Sequence, residues 1–266
     1  MIQEYKGKWK IYWRILNCSC RNKRICGFFE GYEDCYTIIG GAACEILLSS
    51  TSIDFRATKD IDIIIMFEDR FEEFASKFWE YIKLGGYKCG WKNSDKPHFY
   101  RFTEPKDGFP SQIELFSRKT DYHLESGSEI IPIHIDDDIS SLSAIMLNDD
   151  FYDFMREGKV TINGLGVLKA SYIIPFKMYA WLNLKDEKAS GEHVNSKDLK
   201  KHKNDVFQLF QIVPDDEVVE VSGIVADTID RFIKEIVDET IVFKDLGIDS
   251  DMNTEINALR DVYIKK

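Results

Sequence analysis

Residues 60–65 read Asp-Ile-Asp-Ile-Ile-Ile, with Lys59 before them and Met66-Phe67 after. Strand side chains alternate faces. Asp60 and Asp62 therefore point the same way, and Ile61, Ile63 and Ile65 make the other face. Such a segment needs a sheet with at least that apolar face covered. Aspartate is disfavoured inside strands, so two on one face need a local reason.

Two like charges that close repel unless something positive lies between them. A hard divalent cation with oxygen ligands meets that need. Upstream, Tyr36-Thr37-Ile38-Ile39 runs into Gly40-Gly41. Glycines let bare backbone N–H groups approach an anion, with a helix N-terminus behind them. Glycines for phosphate and paired carboxylates for a metal together predict a site for a nucleotide with Mg²⁺. Each has a plainer reading: a turn for the glycines, a solvent-facing strand start for the aspartates.

A chain of 266 residues fits one large domain or two smaller ones. Its 44% hydrophobic and 13% aromatic content is ample for a packed core. No apolar run reaches membrane-spanning length, and the charged start Met1-Ile2-Gln3-Glu4-Tyr5-Lys6 lacks a signal-peptide apolar region. The expectation is a cytoplasmic protein with no membrane partner. A net charge of −11 argues against a general nucleic-acid coat protein, though a local basic groove remains compatible with it. Cys18, Cys20, Cys26, Cys35, Cys44 and Cys89 fit no common zinc spacing and read as reduced thiols.

The pattern predicts an α/β (α+β) protein with three parts. Residues 1–27 are an irregular basic segment carrying Lys6, Lys8, Lys10, Arg14, Arg21, Lys23 and Arg24. A nucleic-acid-binding arm, a poorly ordered extension and an upstream translation start all fit it. Residues 28–140 form the mixed-sheet domain. Its elements are a strand over 35–39, a helix over 42–50, a loop over 51–59 and a strand over 60–67. A helix over 69–84 follows, with Phe71, Phe74, Phe78 and Ile82 inward, ended by Gly85-Gly86. Strands near 98–103 and 112–117 pair as a hairpin, and another spans 130–135. This element order argues for a mixed sheet with helices. Residues 141–266 are mainly helical. Helices are expected near 140–147, 150–157, 174–184, 196–212, 215–237 and 254–264. A hairpin turns at Asn163-Gly164, and a mobile polar loop spans 185–195.

In order, Gly40-Gly41, a helix and Arg56-x-Thr58-x-Asp60-Ile61-Asp62 resemble the signature of the nucleotidyltransferase superfamily with the DNA-polymerase-β-type fold, in its AbiEii/AbiGii-toxin-like branch. Downstream, Ile174-Pro175-Phe176-Lys177-Met178-Tyr179-Ala180-Trp181 and Ser196-Lys197-Asp198-Leu199-Lys200-Lys201-His202-Lys203-Asn204-Asp205-Val206 resemble that branch's Lys-bearing helix and the helix after it. The resemblance covers most of residues 35–212.

It implies that Gly40 and Gly41 hold a triphosphate through backbone N–H groups, and that Asp60 and Asp62 bind one or two Mg²⁺ ions. Family members carry a third carboxylate on a neighbouring strand. Glu114, in Gln112-Ile113-Glu114-Leu115-Phe116, is the candidate, as metal ligand or as base toward an acceptor hydroxyl; many members have Asp there. An exposed edge-strand residue is the alternative for Glu114. Arg56 and Thr58 would contact phosphate or orient the aspartates, a plain surface charge being the alternative for Arg56.

Lys177, Lys201 and Asp205 would approach the nucleotide. A snorkelling lysine and a solvated charged helix face are the alternatives. Asp198 and His202 lack a third zinc ligand. The implied reaction is transfer of NMP from an NTP to an acceptor hydroxyl on RNA, protein or a small molecule. The implied setting is toxin–antitoxin or phage defence, with a possible cognate antitoxin. The alternative is a catalytically inactive nucleotide-binding protein. Which way Glu114 faces separates the two.

Overall fold

The computed structural model describes residues 23–49, 51, 58, 60–66, 70–89, 100–117, 123–126, 129–132 and 149–266. The described residues up to 132, together with 159–168, form one compact unit; residues 149–158 and 169–266 form another. Most of the basic N-terminal segment, Arg56, and the helix expected over 140–147 lie outside the described residues. The last stretch of the segment expected to be irregular is helical, as α1 (Lys23–Phe28), and it buries Ile25.

In the sheet unit the order continues β1 (Tyr36–Ile39), α2 (Gly40–Leu48), β2 (Asp60–Ile65), α3 (Phe71–Gly85), β3 (Lys88–Cys89), β4 (Tyr100–Thr103) and β5 (Gln112–Ser117). A separate hairpin, β6 (His123–Ser126) and β7 (Glu129–Pro132), comes next, and β8 (Lys159–Ile162) and β9 (Leu165–Leu168) complete the unit. Among the described residues seven strands form a mixed sheet in the order β3-β4-β5-β2-β1-β9-β8. β2 is central, antiparallel to β1 and parallel to β5. That position explains its burial. Ile61, Ile63, Ile64 and Ile65 are all buried, so both faces are covered at its C-terminal half. Only its leading end, Asp60 and Asp62, reaches solvent.

Register puts Tyr36, Ile38, Ile113 and Leu115 on the same face as Ile61, Ile63 and Ile65. The α3 stripe covers this face. Phe74 and Phe78 are each 1% exposed. Tyr36 stacks on Phe74 at 5.5 Å, and Phe78 meets Phe102 edge-on at 5.5 Å. Full burial of each ring contributes about 2–3 kcal/mol before conformational entropy is counted, so these rings hold α3 on the sheet. The side chain of Phe71, expected in the same stripe, falls outside the described residues. α3 ends at Gly86, φ +65°.

The Asn163-Gly164 turn has φ of +53° and +77°, as a two-residue hairpin turn requires. Its location differs from the expected grouping with the helical region. β9 pairs parallel to β1 through Ile38 and Val167, and so extends the sheet. Leu165–Leu168 is buried throughout, and a strand apolar on both faces needs a covered sheet.

The helical unit contains α4 (Asp149–Glu157), α5 (Ala170–Ala189), α6 (Ser196–Phe210), α7 (Gly223–Ile236), a 3₁₀ turn (Phe243–Leu246) and α8 (Met252–Val262). The short strands β10 (Val219–Val221) and β11 (Tyr263–Lys265) pair parallel. Asn195 caps α6 by accepting from the Lys197 N–H, and Asp251 caps α8 by accepting from the Asn253 and Thr254 N–H groups, as N-cap side chains do. Trp181 of α5 meets Phe232 of α7 at 5.3 Å.

Two of the boundary shifts have a tertiary cause. α5 continues through residues 185–189, which read as loop, because its polar last turn is tied to α7: Lys185 to Glu235 at 2.9 Å, and Arg231 in a two-pronged pair with Asp186 at 2.6 and 2.8 Å. The helix expected from 215 begins only at Gly223, because Val219–Val221 pairs with β11 instead.

Pro175 sits inside α5. Proline has no N–H, so the carbonyl four residues earlier, that of Ser171, loses its helical donor. The Tyr263 hydroxyl, from β11, donates to that carbonyl at 2.6 Å. Burial raises the Tyr263 phenol well above its ordinary pKa, which keeps it a donor. Tyr263→Phe leaves a buried carbonyl unsatisfied and is expected to lower stability by about 1–3 kcal/mol. Chemical denaturation measures this. A loss under about 0.5 kcal/mol would show that the bond does not support the helix at its proline.

Candidate nucleotide and metal site

β1 ends at Ile39 and α2 starts at once with Gly40. Ile39 is extended and supplies no side-chain cap to the first N–H groups of α2. Gly40 has φ +66°, a conformation that L-residues other than glycine rarely adopt. A Cβ there would overlap the Asp62 carboxylate oxygen Oδ2 and lie 3.1 Å from its Cγ. A Cβ on Gly41 would lie 3.0 Å from Thr58 Oγ1 and 3.2 Å from Thr58 Cβ. The sequence suggests one duty for these glycines, contact with phosphate. The structure adds another: a Cβ on Gly40 would displace the Asp62 carboxylate, and one on Gly41 would press on Thr58.

The carboxylates are arranged by strand register. Asp62 is paired with Glu114 across the parallel β2–β5 ladder and with Ile39 across the antiparallel β1–β2 ladder. Asp60 is paired with Gln112. Paired residues share a face, so Asp60, Asp62, Gln112 and Glu114 stand on one side at the leading ends of two adjacent strands. β5 lies between β4 and β2, so Glu114 is not an edge-strand residue. Gln112 Nε2 donates to Glu114 Oε1 at 2.9 Å.

Neighbouring strands lie about 4.8 Å apart. Two ionised carboxylates at about 5 Å repel by about 3 kcal/mol at an effective dielectric near 20. One neutral amide hydrogen bond, worth about 1 kcal/mol net, offsets part of that. On its other side Glu114 is paired with Arg101 of β4, so a basic residue shares this face with the carboxylates.

The donor set is all oxygen, which suits Mg²⁺. Among the described residues no three His, Cys, Asp or Glu side chains converge as a finished cage.

Thr58 fixes the approach to β2. Its N–H donates to Glu45 Oε2 at 3.2 Å, and its Oγ1 donates to the Asp60 carbonyl at 3.3 Å. Sequence reasoning missed Glu45 and Gln112. The available signals were spacing ones: Glu45 lies one helical turn beyond Gly41, and Gln112 lies on the same strand face as Glu114. Cys44 Sγ donates to the Gly40 carbonyl at 3.0 Å, and Cys35 and Cys44 are buried thiols outside any disulfide. Burial and neighbouring Asp34 push the Cys35 thiol up to about 12, too high for a nucleophile at neutral pH.

The other expected contacts lie in the helical unit. Lys177 and Asp205 face each other at 2.9 Å with side chains 4% and 1% exposed. They link α5 to α6 inside that unit. Lys201 is half-buried on α6, one turn before Asp205. No helix among the described residues is long and apolar enough to cross a membrane.

No protein-family model matches the chain, and no curated protein matches it. Among solved structures, it is similar to an antigenic nucleotidyltransferase-like protein from Paracoccidioides brasiliensis. The TM-score is 0.44 and the identity 13%, over 87% of this chain and 86% of that one. A likeness at that level decides neither activity nor substrate.

Proposed function

We propose that the sheet unit binds a nucleoside triphosphate with Mg²⁺ and transfers its NMP to an acceptor hydroxyl. The observation that supports this reading is the pairing of Asp62 with Glu114 on one sheet face, directly beside the glycine-headed start of α2. Asp60 and Asp62 would hold the ion, with Glu114 as a further oxygen donor. When bound, Mg²⁺ supplies positive charge to the phosphate oxygens. The first N–H groups of α2, aided by the helix dipole, face negative phosphate charge.

In the transfer, an acceptor oxygen forms a bond to the α-phosphorus. The bond from that phosphorus to the bridging oxygen breaks, and pyrophosphate leaves with the electron pair. Glu114 takes the proton of the acceptor hydroxyl, a role that needs a carboxylate within hydrogen-bond reach. The acceptor classes open to this chemistry are an RNA end, a protein hydroxyl and a small molecule. No step of this reaction is drawn from Lys177 or Asp205, whose charges face each other inside the helical unit.

Calorimetric titration of the full chain with each NTP and Mg²⁺, beside thermal melting, tests the binding step. Asp62→Ala should abolish metal-dependent binding while leaving the melting temperature close to that of the parent, because water does not replace a ligand oxygen in position. Equal affinity in parent and variant would remove Asp62 from the site. A non-catalytic nucleotide-binding protein is the second reading. It is favoured by the amide bond that engages Glu114. Binding without any transferred label on RNA, protein or small-molecule acceptors supports it.

A further inference from the structure

We propose that Glu45 is a positioning residue of this site, holding the start of the aspartate strand against the glycine-headed helix; the inference rests on the nucleotide reading of the site. Glu45 lies on α2, beyond its first turn. Its carboxylate reaches across 13 residues of sequence to accept the Thr58 N–H at 3.2 Å. Thr58 is thereby pinned at three points. Its N–H is held by Glu45. Its side chain packs against Gly41, with Oγ1 3.0 Å from where a Cβ there would lie. Its hydroxyl donates to the carbonyl of Asp60.

Asp60 is the first residue of β2, and the strand ladder alone holds a first residue from one end only. Without the Thr58 anchor, Asp60 would be free to fray from Gln112. Fraying would move the exposed carboxylate while Asp62, seated against Gly40, stayed in place. A two-carboxylate site needs both oxygen sets within about 0.5 Å of productive geometry. Glu45 touches neither nucleotide nor metal; it acts through the Thr58 backbone. The amide oxygen of glutamine can accept the same N–H, which separates the hydrogen bond from the charge.

The experiment compares the full chain with Glu45→Ala and Glu45→Gln by three measurements. They are hydrogen–deuterium exchange over residues 58–62, calorimetric affinity for Mn²⁺ with ATP, and thermal melting. Glu45→Ala is expected to speed exchange over 58–62. It should also weaken Mn²⁺–ATP binding by about 10- to 100-fold, the loss typical of removing an outer support of metal ligands, with little change in melting temperature. Glu45→Gln is expected to restore both exchange and affinity. Unchanged exchange in Glu45→Ala overturns the anchor itself. Faster exchange with unchanged affinity overturns the positioning role. A parent chain that shows no Mn²⁺–ATP affinity, with exchange still altered in Glu45→Ala, overturns the nucleotide reading and leaves Glu45 a loop anchor only.

Discussion

Asp205→Ala is expected to lower the unfolding free energy by about 3–5 kcal/mol, because it leaves the Lys177 ammonium buried opposite an apolar residue. The two side chains are almost fully enclosed and 2.9 Å apart. Taking two charges out of water costs several kcal/mol per ion, and their attraction repays this only while both are present. Removing both should therefore cost far less than removing one. The double variant Lys177→Met, Asp205→Leu is expected to recover most of the loss.

Denaturant unfolding of parent, single and double variants measures this. A single variant within about 1 kcal/mol of the parent would show that the pair is not the buried anchor of α5 on α6. The double variant also separates the two accounts of these residues. If it folds and still binds NTP with Mg²⁺, the pair is structural. If it folds and binding is lost, the pair has the nucleotide role that the family resemblance implies.

Glu114→Gln is expected to leave NTP binding nearly intact and to cut transfer by about 10²–10⁴-fold, the range typical of losing an acid–base group. The substitution keeps size and the amide can still meet Gln112, but it removes the proton acceptor. The assay incubates parent and variant with each α-labelled NTP and total RNA or total protein, then follows label on the acceptor. Full turnover by the variant would take Glu114 out of the mechanism. A variant that loses nucleotide binding as well would recast Glu114 as a ligand support. The position of Glu114 between two paired strands makes the test clean, because its backbone is held on both sides.

Much of this protein follows from local pattern. The alternation in 60–65 is enough to put Asp60 and Asp62 on one face, since strand period is a property of the backbone. The Phe74–Phe78–Ile82 stripe defines the inner side of α3 for the same kind of reason. Asn163-Gly164 has the chemistry of a tight turn wherever it sits. Where the local pattern misled, a distant partner was responsible. The polar end of α5 stays helical because Arg231 and Glu235 of α7 hold it. Residues 219–221 form a strand because β11 lies beside them.

The sequence by itself determined the donor types of the candidate site: oxygen ligands at Asp60 and Asp62, and glycines at the head of a helix. Only the tertiary structure decided that Glu114 stands beside Asp62, because strand order and register depend on which strands find each other. It likewise decided that Lys177 meets Asp205 in a core, and that Tyr263 completes the helix that Pro175 interrupts. Spacing along one chain reports which face a side chain takes on its own element. Burial and pairing across elements are set by packing, which no single segment encodes.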